Sequence, residues 1–205
     1  MNDAQGSPAI GRTRWRRFAI VLVSAITLSG AIVFGMANGA IAASFTVSGS
    51  TFKVSADKLV GNGFVQYGGL VVDKAGNRHP VAVSAMKTAD LTKLCQSVLV
   101  PGTTISMVIR AGADPDHPAH ADNILIDMTQ LSGDATFDNI DIGIDASSLT
   151  KGPAKAIGQA GGFAQQADTV TITGLRQVAW STSAGTFTLN GLDLHVSLEG
   201  EECFK

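Results

Sequence analysis

The chain has 205 residues, 45% hydrophobic and only 16% charged, with a formal net charge of −2. That length holds one ordinary domain plus a targeting segment and excludes two full domains once such a segment is set aside. Four arginines (Arg12, Arg14, Arg16, Arg17) and one aspartate lie in residues 1–42, so the remainder keeps 11 of 15 basic and 16 of 17 acidic residues, a net charge of −5. No basic cluster follows Arg17. That excludes nucleic acid as a partner, because such binding rests on grouped cations that neutralise phosphates.

The first element is the uncharged run from Phe18 to Ala43 behind the four arginines, the layout of an export signal. Ala40-Ile41-Ala42 supplies small residues at both recognition positions of a signal peptidase, with cleavage before Ala43. A second reading stays open. The stretch 18–37 as an apolar helix spans a bilayer core of ~30 Å at ~1.5 Å per residue and would anchor the chain in the membrane uncleaved. Both readings keep the basic flank inside and send the rest of the chain outside. The organisation expected is thus a signal peptide or anchor over 1–42 and one extracytoplasmic β-rich domain over 43–205.

From Phe45 onward the pattern is of β type. Phe45, Val47, Phe52 and Val54 alternate with Ser, Thr and Lys, as in a strand with one buried face. "GFVQYGGLVVD" and "VAVSAM" flank the turn residues "KAGNRHP". "TADLTKLCQSVLV" is expected to form a short helix, capped by Thr88 or Asp90, with Leu91, Leu94, Cys95 and Val98 on one face. "TTISMVIRAG" and "DNILIDMTQL" read as two strands joined by a long hairpin connection. "GDATFDNIDIGID" is a further strand or two, "TKGPAKAIGQAGGFAQQA" a loose helix or ordered crossover, and "DTVTITGL", "RQVAWSTS" and "GTFTLNGLDLHVSLEG" are strands again. A shared rhythm between 122–142 and 168–196 suggests a sheet of repeated long hairpins that curls into a trough or barrel. The fold class expected is mainly β, a curved antiparallel sheet forming a sandwich, half-barrel or trough, with one or two short helices.

Chemistry concentrates in "RAGADPDHPAHAD", residues 110–122, where Asp114, Asp116, His117, His120 and Asp122 crowd together. They form a possible metal or polar site. His-x-x-His fixes only two ligands of a tetrahedral zinc, Pro115 and Pro118 forbid the helix that HExxH needs, and the EF-hand spacing is absent. The competing reading is a proline-stiffened hydrophilic loop. The serine-hydrolase elbow Gly-x-Ser-x-Gly does not occur. His79 precedes a proline in a turn, and His195 alternates with Leu194 and Val196, where an outward-facing histidine is ordinary. Asp138, Asp141 and Asp145, or Glu199, Glu201 and Glu202, lack the aromatic cleft of a glycosidase and read as charged strand edges. No catalytic residue and no cofactor are implied. Cys95 and Cys203, the only cysteines, pair as a disulfide if the chain is exported; two buried thiols are the alternative. The apolar, Gly-rich strands either pack as a closed sandwich or enclose a lipid-sized cavity, which makes a lipid the expected ligand class.

"FKVSADKLVGNGFVQYGG", "LCQSVLVPG", "DATFDNIDIGIDASSLTKGP", "FAQQADTVTITGLRQVAWSTSAGTFTLNGLDL" and the terminal "ECF" together resemble an actinobacterial exported family of unknown function, whose members are often called cholesterol esterases. The resemblance spans nearly the whole chain. It implies a high-GC Gram-positive source and a secreted or cell-surface setting, and carries no catalytic motif onto these positions. The expectation is a non-enzymatic cell-envelope protein that binds a lipid or other apolar ligand. The alternatives are a lipid or sterol esterase acting through Asp116, His117 and His120, and an interaction module anchored by residues 18–37.

Overall fold

The computed structural model describes residues 46–205, so the export or anchor segment and its cleavage site lie outside the described residues. About two thirds of the described chain is strand: β1 (Thr46–Val47), β2 (Phe52–Asp73), β3 (Arg78–Thr92), β4 (Leu94–Leu99), β5 (Ser106–Ala111), β6 (Ala119–Asp138), β7 (Asp141–Asp145), β8 (Phe163–Ser183), β9 (Thr186–Thr188) and β10 (Asp193–Ser197). The sole helical turn among the described residues is Ala146–Ser148, capped by Asp145, whose carboxylate accepts from the Ser147 N–H.

Register shows how these pieces join. β2 pairs antiparallel with β3 (Leu59 opposite Leu91) and then with β4 (Val54 opposite Gln96). β3 pairs with β6 and β4 with β5, while β6 pairs with β8 and β9, and β5 with β10. β3–β4, β5–β6–β7 and β8–β9–β10 are therefore three long interrupted strands that follow β2 in a meander. The ring closes where β8 returns to β2, with Phe52 opposite Ala179 and Tyr67 opposite Ala164. The result is a small antiparallel barrel of four long paths, a curved sheet closed on itself rather than a sandwich.

Strands of 22, 20 and 21 residues in β2, β6 and β8 are far beyond the usual ~5–6 and must bend to close so narrow a ring. Left-handed positions supply the bends. At Gly63 (φ 66°) an added Cβ would lie 2.6 Å from the Lys151 carbonyl oxygen, so no other residue fits that corner without displacing backbone.

Two expectations are corrected here. Residues 88–100 form no helix but the end of β3, the whole of β4 and Val100, interrupted by Lys93 at φ 50°. That bulge turns both Leu91 and Leu94 inward, so a spacing of three that imitates a helix face is a strand with a one-residue kink. Nor is 112–118 a hairpin connection. β5 and β6 run in the same direction along β4 and β3, with Ala111 opposite Leu94 and Ala119 opposite Leu91, and residues 112–118 bulge out opposite only Thr92 and Lys93. The crossover 146–162 holds no helix beyond its first turn and lies as an ordered cover over Val65, Ala85 and Ala164.

The barrel interior is packed with aliphatic side chains, among them Val54, Leu59, Phe64, Leu91, Leu94, Ile124, Ile126, Val170, Ile172 and Leu175. Cavities of about 20 Å³ remain, each room for roughly one water. Of the two arrangements open from composition, the interior formed by the described residues is the packed one, because four paths make a ring too narrow to hold more than its own side chains.

Candidate functional site

β4, β5 and β10 project beyond the closed ring as a three-stranded flap, with β10 at the edge of the sheet. Its two faces differ. Directly opposed residues of an antiparallel pair share a face, so Leu194, Ile109 and Gln96 lie in one row with Val54, and Val196, Met107 and Val98 lie in the next. Gln96 and Val54 line the barrel interior together with Phe187. The inner face of the flap thus continues the barrel lining outward into the open. Leu194 is 54% exposed, Val196 61% and Met107 37%, while Leu192 (53%) and Leu198 (71%) extend the row beyond both ends of β10. These side chains carry no charge and no aromatic ring.

The outer face is covered. After β10 the chain turns back as a strap, 198–205, fastened by the Cys95–Cys203 disulfide across 108 residues of sequence. The Cys203 N–H donates to Ser97 Oγ at 3.0 Å, and Arg110 Nη2 donates to Glu201 Oε1 at 2.6 Å. Lys53 Nζ donates to Glu202 Oε2 (2.8 Å) and to the Phe204 carbonyl (3.0 Å), while Lys53 and Arg176 flank the Phe204 ring. Val108, Ser97 and Ser106 are fully buried on this side. The two cysteines singled out from sequence are therefore the fastening of the strap.

The histidine-rich stretch sits at the root of the flap, between β5 and β6. Gly112 (φ 64°) opens the bulge, its N–H donating to the Asn190 carbonyl at 2.7 Å and its own carbonyl accepting from Lys93 N–H at 2.7 Å. Asn190 Nδ2 donates to the Pro118 carbonyl at 2.8 Å and ties down the far end. Inside the bulge, Asp114 organises the turn. It accepts from the Asp116 N–H (3.0 Å) and bonds His117 Nδ1 (2.9 Å), and the His117 bond holds its carboxyl below the ordinary range. Asp116 makes no side-chain contact of its own there.

His120 belongs to a separate group on β6. Its Nδ1 bonds Asp90 at 2.6 Å and its Nε2 lies 3.4 Å from Asp122, so the Asp90 carboxylate raises its pKa above the usual histidine value. The five residues thus divide into Asp114–His117, an unengaged Asp116, and His120–Asp122 completed by Asp90. No group of three or more His, Cys, Asp or Glu among the described residues is disposed to hold a metal ion.

All four histidines of the chain bond a carboxylate. His79 Nε2 meets Asp73 at 3.0 Å and stacks on Trp180, and Asn77, first of several partners, pulls the Asp73 carboxyl far below its usual range. His195 lies 3.1 Å from Glu201 and 3.1 Å from Asp193, with its pKa raised first by Glu201. None of these bonds engages a serine, threonine or cysteine, so the geometry supplies no activated nucleophile of the kind a triad needs.

A match now stands beside the geometry. The chain belongs to a family of unknown function, DUF6230, whose model covers residues 48–204. No curated protein and no solved structure matches it. The match takes in the whole barrel, the flap and nearly all of the strap.

The bare inner face is what residue types alone missed. Leu192, Leu194, Val196 and Leu198 alternate as a buried face would, while His195 occupies the opposite side and contacts the strap. The signal was the spacing itself, four aliphatic residues on a terminal strand, but spacing does not say whether anything covers them.

Proposed function

We propose that this is a non-catalytic component of the cell envelope, exported by residues 1–42, that carries lipid against the bare inner face of the β4–β5–β10 flap. The observation behind the reading is the uncharged row of Leu192, Leu194, Val196 and Met107 running out from the packed barrel mouth. Contiguous exposed apolar surface on a folded chain marks a binding site. Its chemistry favours acyl chains over a protein partner, because protein hot spots are built on Trp, Tyr and Arg and the flap's inner face has none of these, only aliphatic side chains, Met107 and Gln96. The five residues of β10 give the row a length of ~17 Å, the scale of an extended acyl chain. The barrel interior itself has no room for an acyl chain beyond cavities of about 20 Å³.

Native mass spectrometry of the protein isolated from the medium of a secreting host, without detergent, tests this. A removable adduct of lipid mass in the wild type, lost in a Leu194→Ser, Val196→Ser double variant, is expected. Adduct-free protein, an unchanged adduct in the variant, or a doubled mass showing a second copy on the face would overturn it. Ester hydrolysis that disappears in a His117→Ala, His120→Ala double variant would overturn the non-catalytic part.

A further inference from the structure

A second site lies on the far side of the sheet from the barrel interior, independent of the flap. The crossover leaves a cavity of about 380 Å³ between itself and the outer face of the barrel wall, within the range of small-molecule sites. Its floor is apolar, with Ala85 and Leu125 from the wall and Pro153 from the crossover. Its polar lining residues are Lys155, Asn123 and Ser183. No carboxylate lines it, although acids outnumber bases 16 to 11 beyond residue 42. None of the ion pairs among the described residues uses Lys155.

The backbone that delivers Lys155 is strained. The Ala156 N–H donates to the Pro153 carbonyl at 3.1 Å, which makes 153–156 a turn with Lys155 third, at φ 75°. That position of a type II turn belongs to glycine, and a long side chain there costs about 1–2 kcal/mol. Asn123, across the same cavity, is also left-handed at φ 50°. Of the four left-handed non-glycine residues among the described residues, two, Lys155 and Asn123, line this one cavity.

We infer that this cavity binds a small amphiphilic anion, a carboxylate with a short apolar body, its charge on Lys155 with Asn123 and Ser183 as donors, and its body on Leu125 and Ala85.

Isothermal titration of the secreted protein with hexanoate, and with hexan-1-ol as its uncharged counterpart, tests the inference. Saturable hexanoate binding at millimolar concentration or below is expected, with hexan-1-ol at least tenfold weaker. Lys155→Met should weaken hexanoate at least tenfold and Lys155→Arg should preserve it. Lys155→Gly should abolish binding and yet raise the melting temperature, because glycine relieves the strain, a pairing that a purely structural lysine would not give. The Leu194→Ser, Val196→Ser variant should bind hexanoate as the wild type does, which separates this site from the flap. No saturable heat, equal affinity for the alcohol, unchanged binding in Lys155→Met, or a lowered melting temperature in Lys155→Gly would overturn it.

Discussion

The two faces of the flap are made from the same three strands, residue by alternate residue, and have opposite fates. On the outer face, Val108 and Ser97 are buried beneath a strap held by a disulfide, three charge-assisted contacts and the Phe204 ring. On the inner face, Leu194, Val196 and Met107 stand in solvent. Covering the polar side and leaving the aliphatic side open inverts the usual order of folding, in which apolar surface is the first to be removed from water. The strap ties the flap from behind through Cys95, Ser97 and Arg110 and leaves the apolar face uncovered.

The sharpest way to break this comparison is to cut the strap loose. A Cys95→Ala, Cys203→Ala variant is expected to lose about 4–5 kcal/mol in the chain-entropy account of a loop this long. Hydrogen exchange should then accelerate across β4, β5 and β10 while β8 stays protected. Equal acceleration everywhere would mean that flap and barrel open as one unit. Next in size is the barrel itself. Leu175, 1% exposed, should cost about 3 kcal/mol as Leu175→Ala by denaturant unfolding, from lost burial plus the cavity left behind. At the root of the flap, an alanine Cβ at Gly112 would meet the Ala119 nitrogen at 2.5 Å in a left-handed position, so Gly112→Ala should cost about 1–3 kcal/mol and lower the melting temperature. The double variant Leu194→Ser, Val196→Ser should leave stability within about 0.5 kcal/mol, since exposed side chains contribute little to folding, while removing lipid capture.

The smallest expected effect is with pH. Raised histidine pKa values at His120 and His195 give stability that is full below about 6.5 and lost as pH rises through the raised values. Depressed carboxyls at Asp73, Asp114 and Glu201 give stability that is present above about 4 and lost as pH falls through their lowered values. The melting temperature should therefore peak between about pH 4 and 6.5. Its fall toward alkaline pH should shrink in a His120→Asn, His195→Asn variant; an identical fall there would remove these two histidines from the account.

Most strands were legible because alternation follows from the two-residue period of a pleated chain, as in Phe52 and Val54 or Ile124 and Ile126. The errors fall where one residue breaks that period. Lys93 shifts the phase between Leu91 and Leu94 and turns a strand into an imitation of a helix face. At 112–118 sequence shows two strands and a polar gap. Whether they fold back on each other or continue in line depends on β3 and β4, which precede them in sequence. The crowd of acids and histidines at 110–122 was visible as composition, but its division between Asp114 and Asp90 was not, since Asp90 comes from a different strand. The crossover cavity left no trace, because its walls are Ala85, Leu125 and Pro153, ordinary residues made concave only by tertiary placement.

The fastening of the strap also fixes an order of events. Cys203 lies beyond β10, and the ring closes only when Ala179 reaches Phe52. A chain emerging N-terminus first can form the β2–β3 hairpin early, but it closes the barrel only once β8 is delivered and ties the flap only once Cys203 is. Pairings so remote in sequence make folding slow, on the scale of milliseconds to seconds. A chain that stops short of residue 203 lacks the cysteine that fastens the strap.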